Sequence, residues 1–135
     1  LHRQTHRKKR WDATKDIKIP VTANQRRELR MYFKHYQSLE MTTSQTVFHT
    51  QLLRYMLKHP EYILWDLSYS DTKQYIHVKP NQVEYQMIGG VHGWAIKKNL
   101  SERQTTHRIL ISGLLYLNQG GRLSGEDIQP IRPPK

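Results

Sequence analysis

The sequence lacks cysteine, long apolar runs and an apparent secretory signal peptide. Without thiols the chain cannot form disulfides, thiolate metal sites, cysteine-containing zinc fingers or a cysteine nucleophile. No apolar run approaches the roughly 18 residues that a membrane-spanning helix requires. Because neither a spanning segment nor a signal peptide is recognised, we expect a cytoplasmic protein.

Acidic residues are also scarce, and the chain is therefore strongly basic. Its 22 Lys and Arg residues face 11 Asp and Glu residues, which gives a formal net charge of +11 and a pI near 10.0. Such a balance indicates a polyanionic partner, either a nucleic acid or an anionic membrane surface. The length of 135 residues corresponds to one domain or two very small ones.

The sequence shows no pattern typical of catalysis or metal binding. Its eight histidines lack the HExxH spacing or any other ligand spacing, and its Ser, His and Asp residues form no recognisable nucleophile arrangement. The Gly89-Gly90 pair is not a phosphate loop, because no strand precedes it and no Gly-Lys-Ser/Thr sequence follows. We therefore expect a protein that is not an enzyme and that has neither a metal nor a cofactor.

Composition divides the chain into five segments. Residues 1–14 are predicted to be a basic mobile arm, and residues 120–135 to be a C-terminal tail of turns without a packed element. Residues 15–58 and 74–119 carry similar patterns. The connector between them, residues 59–73, is apolar enough to pack on a core and is expected to contain a short helix beginning at Pro60.

The two similar segments repeat an order of strand, cap, helix, cap and helix at an offset of 59 residues. Polar and apolar residues alternate over residues 16–21 and again over 75–80, which is the period of a half-buried strand. Four capping boxes begin at Thr22, Thr42, Asn81 and Ser101. The helix after Asn81 is expected to continue through three glycines that permit close packing, and the alternative is a break there: Gly89, Gly90 and Gly93.

This order resembles the ribbon-helix-helix fold of the MetJ/Arc type over about residues 15–119. Two copies in one chain resemble the TraY-type tandem proteins of conjugative-plasmid relaxosomes. The resemblance implies a mainly α fold with a two-stranded antiparallel β-ribbon, formed as an intramolecular pseudo-dimer. One repeat alone has too little core and leaves its strand half unpaired, so pairing of the repeats is physically favoured. The competing interpretation is an ordinary helical domain whose two apparent strands are loops.

In the resembled family, the outward side chains of the ribbon contact DNA bases in the major groove. Alternation places six residues outward: Asp16, Lys18, Pro20, Tyr75, His77 and Lys79. The lysines would donate to guanine, Tyr75 and His77 would donate to bases or stack on sugar, and Asp16 would accept from a cytosine amino group. Pro20 departs from the pattern because it has no polar side chain. The alternative for the lysines is ordinary solvated strand residues.

The resemblance further implies that the second helix of each repeat binds the DNA backbone at its N terminus, where free N–H groups favour phosphate. The expected phosphate contacts are Thr42, Thr43, Ser44, Ser101 and Arg103, with Arg7, Lys8, Lys9 and Arg10 from the arm. Plain helix capping and a solvated tail are the alternatives.

These patterns predict a sequence-specific protein that binds double-stranded DNA and no membrane. The tandem resemblance implies an accessory factor at a plasmid origin of transfer, with a relaxase as a possible partner and side-by-side self-association on DNA through the outer helices and the segment around Trp65. A transcriptional repressor and a plasmid partition or copy-control factor are the alternatives within DNA binding. An RNA-binding or protein-interaction module is the alternative from another class.

Overall fold

The computed structural model describes residues 10–134, and these are mainly helical with one two-stranded antiparallel sheet. The elements in chain order are β1 (Ile17–Pro20), α1 (Ala23–Ser38), α2 (Gln45–Lys58), β2 (Tyr75–Val78), α3 (Gln82–Gly89), α4 (Trp94–Lys98) and α5 (Glu102–Asn118). A short 3₁₀ turn at Pro60–Tyr62 begins the connector, as predicted. None of the helices in the described part combines the length and apolar character needed to cross a bilayer.

The sheet is a ribbon formed by β1 and β2, with Lys18 opposite His77 at its centre. Alternation of side chains buries one face of this ribbon, because successive residues of a strand point to opposite sides. The buried face consists of Ile17, Ile19, Ile76 and Val78, of which Ile19 and Val78 have no exposed surface. The two predicted strands are therefore confirmed, and the interpretation of both as loops is wrong.

The ribbon lies on a pair of packed helices, α2 and α5. Helix α2 packs against β2 and helix α5 against β1, so each strand rests on a helix from the other half of the chain. The two helices approach closely at Gly113, where a β-carbon would lie 2.8 Å from the Leu52 side chain. The absence of a side chain at this position of α5 thus permits the close approach of the two helices.

Three of the four predicted capping boxes are present and the fourth is wrong. Thr22, Asn81 and Ser101 each cap a helix with the reciprocal hydrogen bonds of the box. The N-cap of α2 is Ser44, whose hydroxyl accepts from the Val47 amide at 3.2 Å, and not Thr42. Thr42 is buried, its hydroxyl donates to the Ser44 carbonyl, and α2 begins only at Gln45, three residues further along the chain.

The predicted single helix after Asn81 is broken into α3 and α4. Gly90 ends α3 in an extended conformation, and Gly93 is the N-cap of α4. Each glycine inside a helix costs about 1 kcal/mol relative to alanine. At Gly89 a β-carbon would lie 2.9 Å from the Glu102 side chain of α5, so close packing occurs at this end of α3, but the helix still ends before Gly90.

The C-terminal segment packs against the core, contrary to the prediction of an unpacked tail. Leu123 and Ile128 are buried, and the Leu123 amide donates to the Tyr36 hydroxyl at 3.1 Å. The Gly and Pro residues of this segment prevent regular helices and strands, but they do not prevent burial of the apolar side chains between them. In the connector, Ile63 is buried as expected.

The last residues of the predicted mobile arm also depart from expectation. The Gln82 amide donates to the Trp11 carbonyl at 3.0 Å, and Thr14 forms an isolated bridge with Asn81. The backbone of residues 11–15 thus continues beside residues 80–82 and extends the ribbon pairing past β1. Residues 1–9 of the arm lie outside the described residues.

A buried ion pair joins these segments beneath the end of the ribbon. Glu84 has no exposed surface, and its carboxylate accepts from the Arg54 side chain at 2.6 Å and from the Ile131 amide at 2.9 Å. The other carboxylate oxygen of Glu84 accepts from the backbone amide of Asn81 at 2.8 Å. Because these bonds replace water around the buried charge, loss of Arg54 should cost about 3–5 kcal/mol.

We expect Ile19→Asp to unfold the domain under mild conditions, because an unpaired carboxylate beneath the ribbon costs several kcal/mol. Lys18→Asp introduces the same residue into the same strand on the exposed face and is the matched control. Urea unfolding should show a large loss for the first variant and a small one for the second. Equal losses would mean that the two faces of the ribbon are assigned incorrectly.

Candidate nucleic-acid interface

The outer face of the ribbon carries four polar side chains that the sequence placed there. Asp16, Lys18 and His77 are exposed, and Tyr75 is partly exposed. Lys79 is also exposed and follows β2 directly, and its backbone amide donates to the Thr50 hydroxyl at 2.9 Å. The five predicted base-contacting residues therefore lie together at one surface.

Contacts among these side chains order the surface before any ligand is bound. The His77 imidazole Nδ1 lies 2.9 Å from an Asp16 carboxylate oxygen. The Lys18 ammonium group lies over the Tyr75 ring, 4.4 Å from its centre. The Tyr75 hydroxyl donates to Asp71 at 2.6 Å, and this bond lowers the pKa of the Asp71 carboxyl to about 2.

Pro20, predicted to point outward, is buried instead. It stands opposite Tyr75 at the end of the ribbon and precedes Val21, whose backbone is hydrogen-bonded to residues before β2. The Val21 amide donates to the Gln74 carbonyl at 2.9 Å, and the Thr72 hydroxyl donates to the Val21 carbonyl at 2.6 Å. Since proline has no polar side-chain atom, its burial leaves no hydrogen-bonding group unsatisfied.

The N terminus of α2 lies beside β2 and forms one flank of the surface. A cleft of about 150 Å³ separates the two and is lined by Arg26, Gln45, Thr46, His49, Tyr75, Ile76 and His77. Ser44 and Thr43 are exposed at this end of the helix, whereas Thr42 is buried and cannot contact a ligand. The predicted phosphate site at this helix therefore comprises Thr43 and Ser44 only.

The N terminus of α5 forms the other flank. Ser101 and Arg103 are exposed there, and the Ser101 hydroxyl accepts from the Gln104 amide at 3.1 Å. The hydrogen bond to Asp71 raises the pKa of the Tyr75 phenol. The nearby positive charge of Arg103 acts in the opposite direction and lowers that pKa. Arg103 is thus within electrostatic reach of the ribbon surface.

The arm contributes one described cation to this part of the molecule. Arg10 is exposed and pairs with Asp12 at 2.9 Å, so part of its charge is already compensated. The predicted phosphate contacts Arg7, Lys8 and Lys9 lie outside the described residues.

Sequence reasoning missed three residues that line or support the surface. Arg26 lies near the start of α1, directly after the Thr22–Gln25 capping box, and that position next to a strand end was the available signal. Asp71 lies in the connector, four residues before its hydrogen-bond partner Tyr75. His49 faces the ribbon from α2, and no local pattern distinguishes it from other helix residues. Within residues 10–134, no group of three or more His, Asp or Glu side chains is arranged to hold a metal ion.

His49 is buried between α2 and β2, and its Nδ1 donates to the His77 carbonyl at 3.3 Å. Burial lowers the pKa of its imidazole from 6.5 to about 4, although the hydrogen bond favours the charged form. Its Nε2 is buried and has no hydrogen-bond partner among residues 10–134. The side chain therefore supports the ribbon from below as a neutral group.

The depressed pKa of His49 makes stability depend on pH. Between pH 6.5 and about 4 the unfolded chain binds more protons than the folded one, so the free energy of unfolding decreases as the pH falls. The contribution is fully present above pH 6.5, and about 3 kcal/mol is lost by pH 4. Urea unfolding at several pH values measures this dependence. The free energy of unfolding should change less steeply with pH for His49→Gln than for the wild type.

Some pH dependence of the free energy of unfolding should remain in His49→Gln, because burial also lowers the pKa of His107 to about 4. His35→Gln, at an exposed position of α1, is the matched control and should retain the wild-type slope. A His49→Gln protein with an unchanged slope would show that His49 is solvated in the folded state.

Comparison of the chain with protein-family models, with curated proteins and with solved structures finds no match. The interpretation of the surface therefore depends on its own geometry and charge.

Proposed function

We propose that the protein is an intramolecular ribbon-helix-helix pseudo-dimer that binds double-stranded DNA by inserting its ribbon into the major groove. The observation that carries this proposal is the antiparallel pairing of β1 with β2, which buries one face and leaves Lys18, His77 and their neighbours on the other. No cleft is needed for such a function, because the ligand binds to the protruding face.

The dimensions of the ribbon suit the major groove. Four residues per strand extend over about 13 Å, and two strands lie about 5 Å apart. The major groove is about 12 Å wide and admits a two-stranded ribbon, whereas the minor groove is about half as wide. The exposed side chains are then within reach of base edges, which are the source of sequence specificity.

The internal repeat supports the pseudo-dimer. The repeats are offset by 59 residues, and Lys18 and His77, which face each other across the ribbon, are themselves 59 residues apart. A pseudo-two-fold axis through this pair exchanges β1 with β2 and α2 with α5. Both helices then direct an N terminus toward the same side as the ribbon face.

Phosphate contacts complete the proposed complex. The free N–H groups at the starts of α2 and α5 and the positive ends of their dipoles favour an anion on each flank. Arg26 and Arg103 add positive charge beside the ribbon. The net charge of +11 further favours association with a polyanion.

The biological role that we propose is that of an accessory factor at a plasmid origin of transfer, where it would mark DNA for a relaxase. Only the tandem arrangement of the repeats supports this role, since many DNA-binding proteins share one fold. A footprint over a transfer origin, together with recruitment of a relaxase to the protein–DNA complex, would support it. A footprint over a promoter, with repression of the downstream gene, would favour a transcriptional repressor.

We expect Lys18→Ala and His77→Ala to weaken binding to the specific site without unfolding the domain. Each should cost about 1–3 kcal/mol at the specific duplex and much less on random duplex, because contacts to bases carry the specificity. Lys34→Ala, at an exposed position of α1, is the charge-matched control for Lys18→Ala. Band-shift titrations at fixed salt measure these differences.

The same titrations should include single-stranded DNA and RNA of equal length. Equal losses on specific and random duplex would assign the two side chains to phosphate contacts. A wild-type protein that prefers single strands or RNA to every duplex would contradict the proposed function.

We expect one chain to be monomeric in solution and to fill one ribbon unit on DNA, because each strand already has its partner within the chain. The two half-ribbons differ in sequence, so the preferred DNA element should be non-palindromic. Light scattering of the free protein and titration against a footprinted duplex measure both properties. An obligate dimer that binds a palindrome would contradict this expectation.

A further inference from the structure

We propose that Asp16 is a positioning residue, which holds His77 in the tautomer that presents a hydrogen-bond acceptor to the DNA. At the centre of the ribbon, His77 would then select a base with an amino group, adenine or cytosine. Lys18 would select a base with hydrogen-bond acceptors. This inference rests on the proposed function and names the base chemistry recognised at the same surface. It replaces the sequence-based expectation that Asp16 and His77 contact bases as acceptor and donor.

The position of Asp16 determines which imidazole nitrogen carries the proton. Both carboxylate oxygens lie near His77 Nδ1, at 2.9 and 3.2 Å. An ionised carboxylate only accepts hydrogen bonds, so the hydrogen of a neutral His77 must be on Nδ1. Nε2 then carries a lone pair and acts as an acceptor.

The geometry leaves Nε2 available to a ligand. The His77 side chain is 46% exposed, and no protein group within residues 10–134 forms a hydrogen bond with its Nε2. Beneath the ribbon, the His77 carbonyl accepts from His49, which holds the backbone at this position from the opposite face. The imidazole is therefore fixed at Nδ1 and open at Nε2.

Lys18 supplies the opposite chemistry on the facing strand. Its ammonium group has donors only, and in the major groove donors match the N7 and O6 atoms of guanine. An imidazole acceptor matches the N6 amino group of adenine or the N4 amino group of cytosine. Because Lys18 and His77 face each other across the ribbon, donor and acceptor lie side by side at its centre.

The tautomer can be measured on the intact free protein. Imidazole ¹⁵N–¹H correlation spectra at about pH 8, above the ordinary titration range of histidine, should show His77 protonated at Nδ1. Asp16→Ala removes the carboxylate from an exposed position and should shift the spectrum toward a mixture of tautomers. Glu126→Ala, which removes an exposed carboxylate from the C-terminal segment, is the charge-matched control and should leave the His77 spectrum unchanged.

The base preference is measured with duplexes in which each base pair of the footprinted site is changed in turn. His77→Ala identifies the position that His77 contacts, because preference is lost there. At that position the wild type should bind duplexes with adenine or cytosine on the contacted strand about tenfold more tightly than those with guanine or thymine on that strand. Asp16→Ala should reduce this preference to near unity, whereas Glu126→Ala should retain it.

The outcomes separate this inference from the proposed function. A His77 spectrum protonated at Nε2, a preference for guanine or thymine on the contacted strand, or equal effects of Asp16→Ala and Glu126→Ala would overturn the role of Asp16 while DNA binding stands. Failure of the wild type to bind any duplex specifically would overturn the proposed function, and the base preference with it, even if the free protein shows the expected tautomer.

Discussion

The antiparallel pairing of β1 with β2 is the interaction on which the rest of the structure depends. A strand with one neighbour leaves half of its backbone groups unpaired, and an isolated two-stranded ribbon is marginal in water. Here Ile19 and Val78 are fully buried against α2 and α5, so hydrophobic burial stabilises what backbone hydrogen bonds alone cannot. Because the buried face supplies the stability, the side chains of the exposed face are not needed for folding. They are therefore available for binding.

Glu84 is the second constraint, because a buried carboxylate is tolerated only when its oxygens are satisfied. Its partners come from α2, from the start of α3 and from the C-terminal segment, through Arg54, Asn81 and Ile131. The ion pair therefore couples the end of the ribbon to segments far away in the chain. It also explains why residues after α5 are ordered despite their Gly and Pro content.

Regular local patterns made much of this fold predictable. Alternation identified both strands and the buried face, and the boxes at Thr22, Asn81 and Ser101 identified three helix starts. The errors occurred where tertiary contacts decide. Thr42 matched the box but is buried before the helix begins, and Pro20 alternated outward but is buried at the end of the ribbon. The sequence predicted which ribbon residues form the candidate surface. It could not predict the contacts among their side chains, because these contacts join residues up to 61 positions apart.

A ribbon made by one chain differs physically from one made by two identical chains. In a homodimer, each exposed residue appears twice, so the two halves of the surface must present the same chemistry. Within one chain the halves vary independently: in the proposed pseudo-dimer, Lys18 would correspond to His77 and Asp16 to Tyr75. Opposite hydrogen-bonding groups can therefore meet at the centre of the ribbon, a combination that exact symmetry forbids. If the proposed function holds, the covalent link between the repeats also allows the two halves of a DNA element to differ.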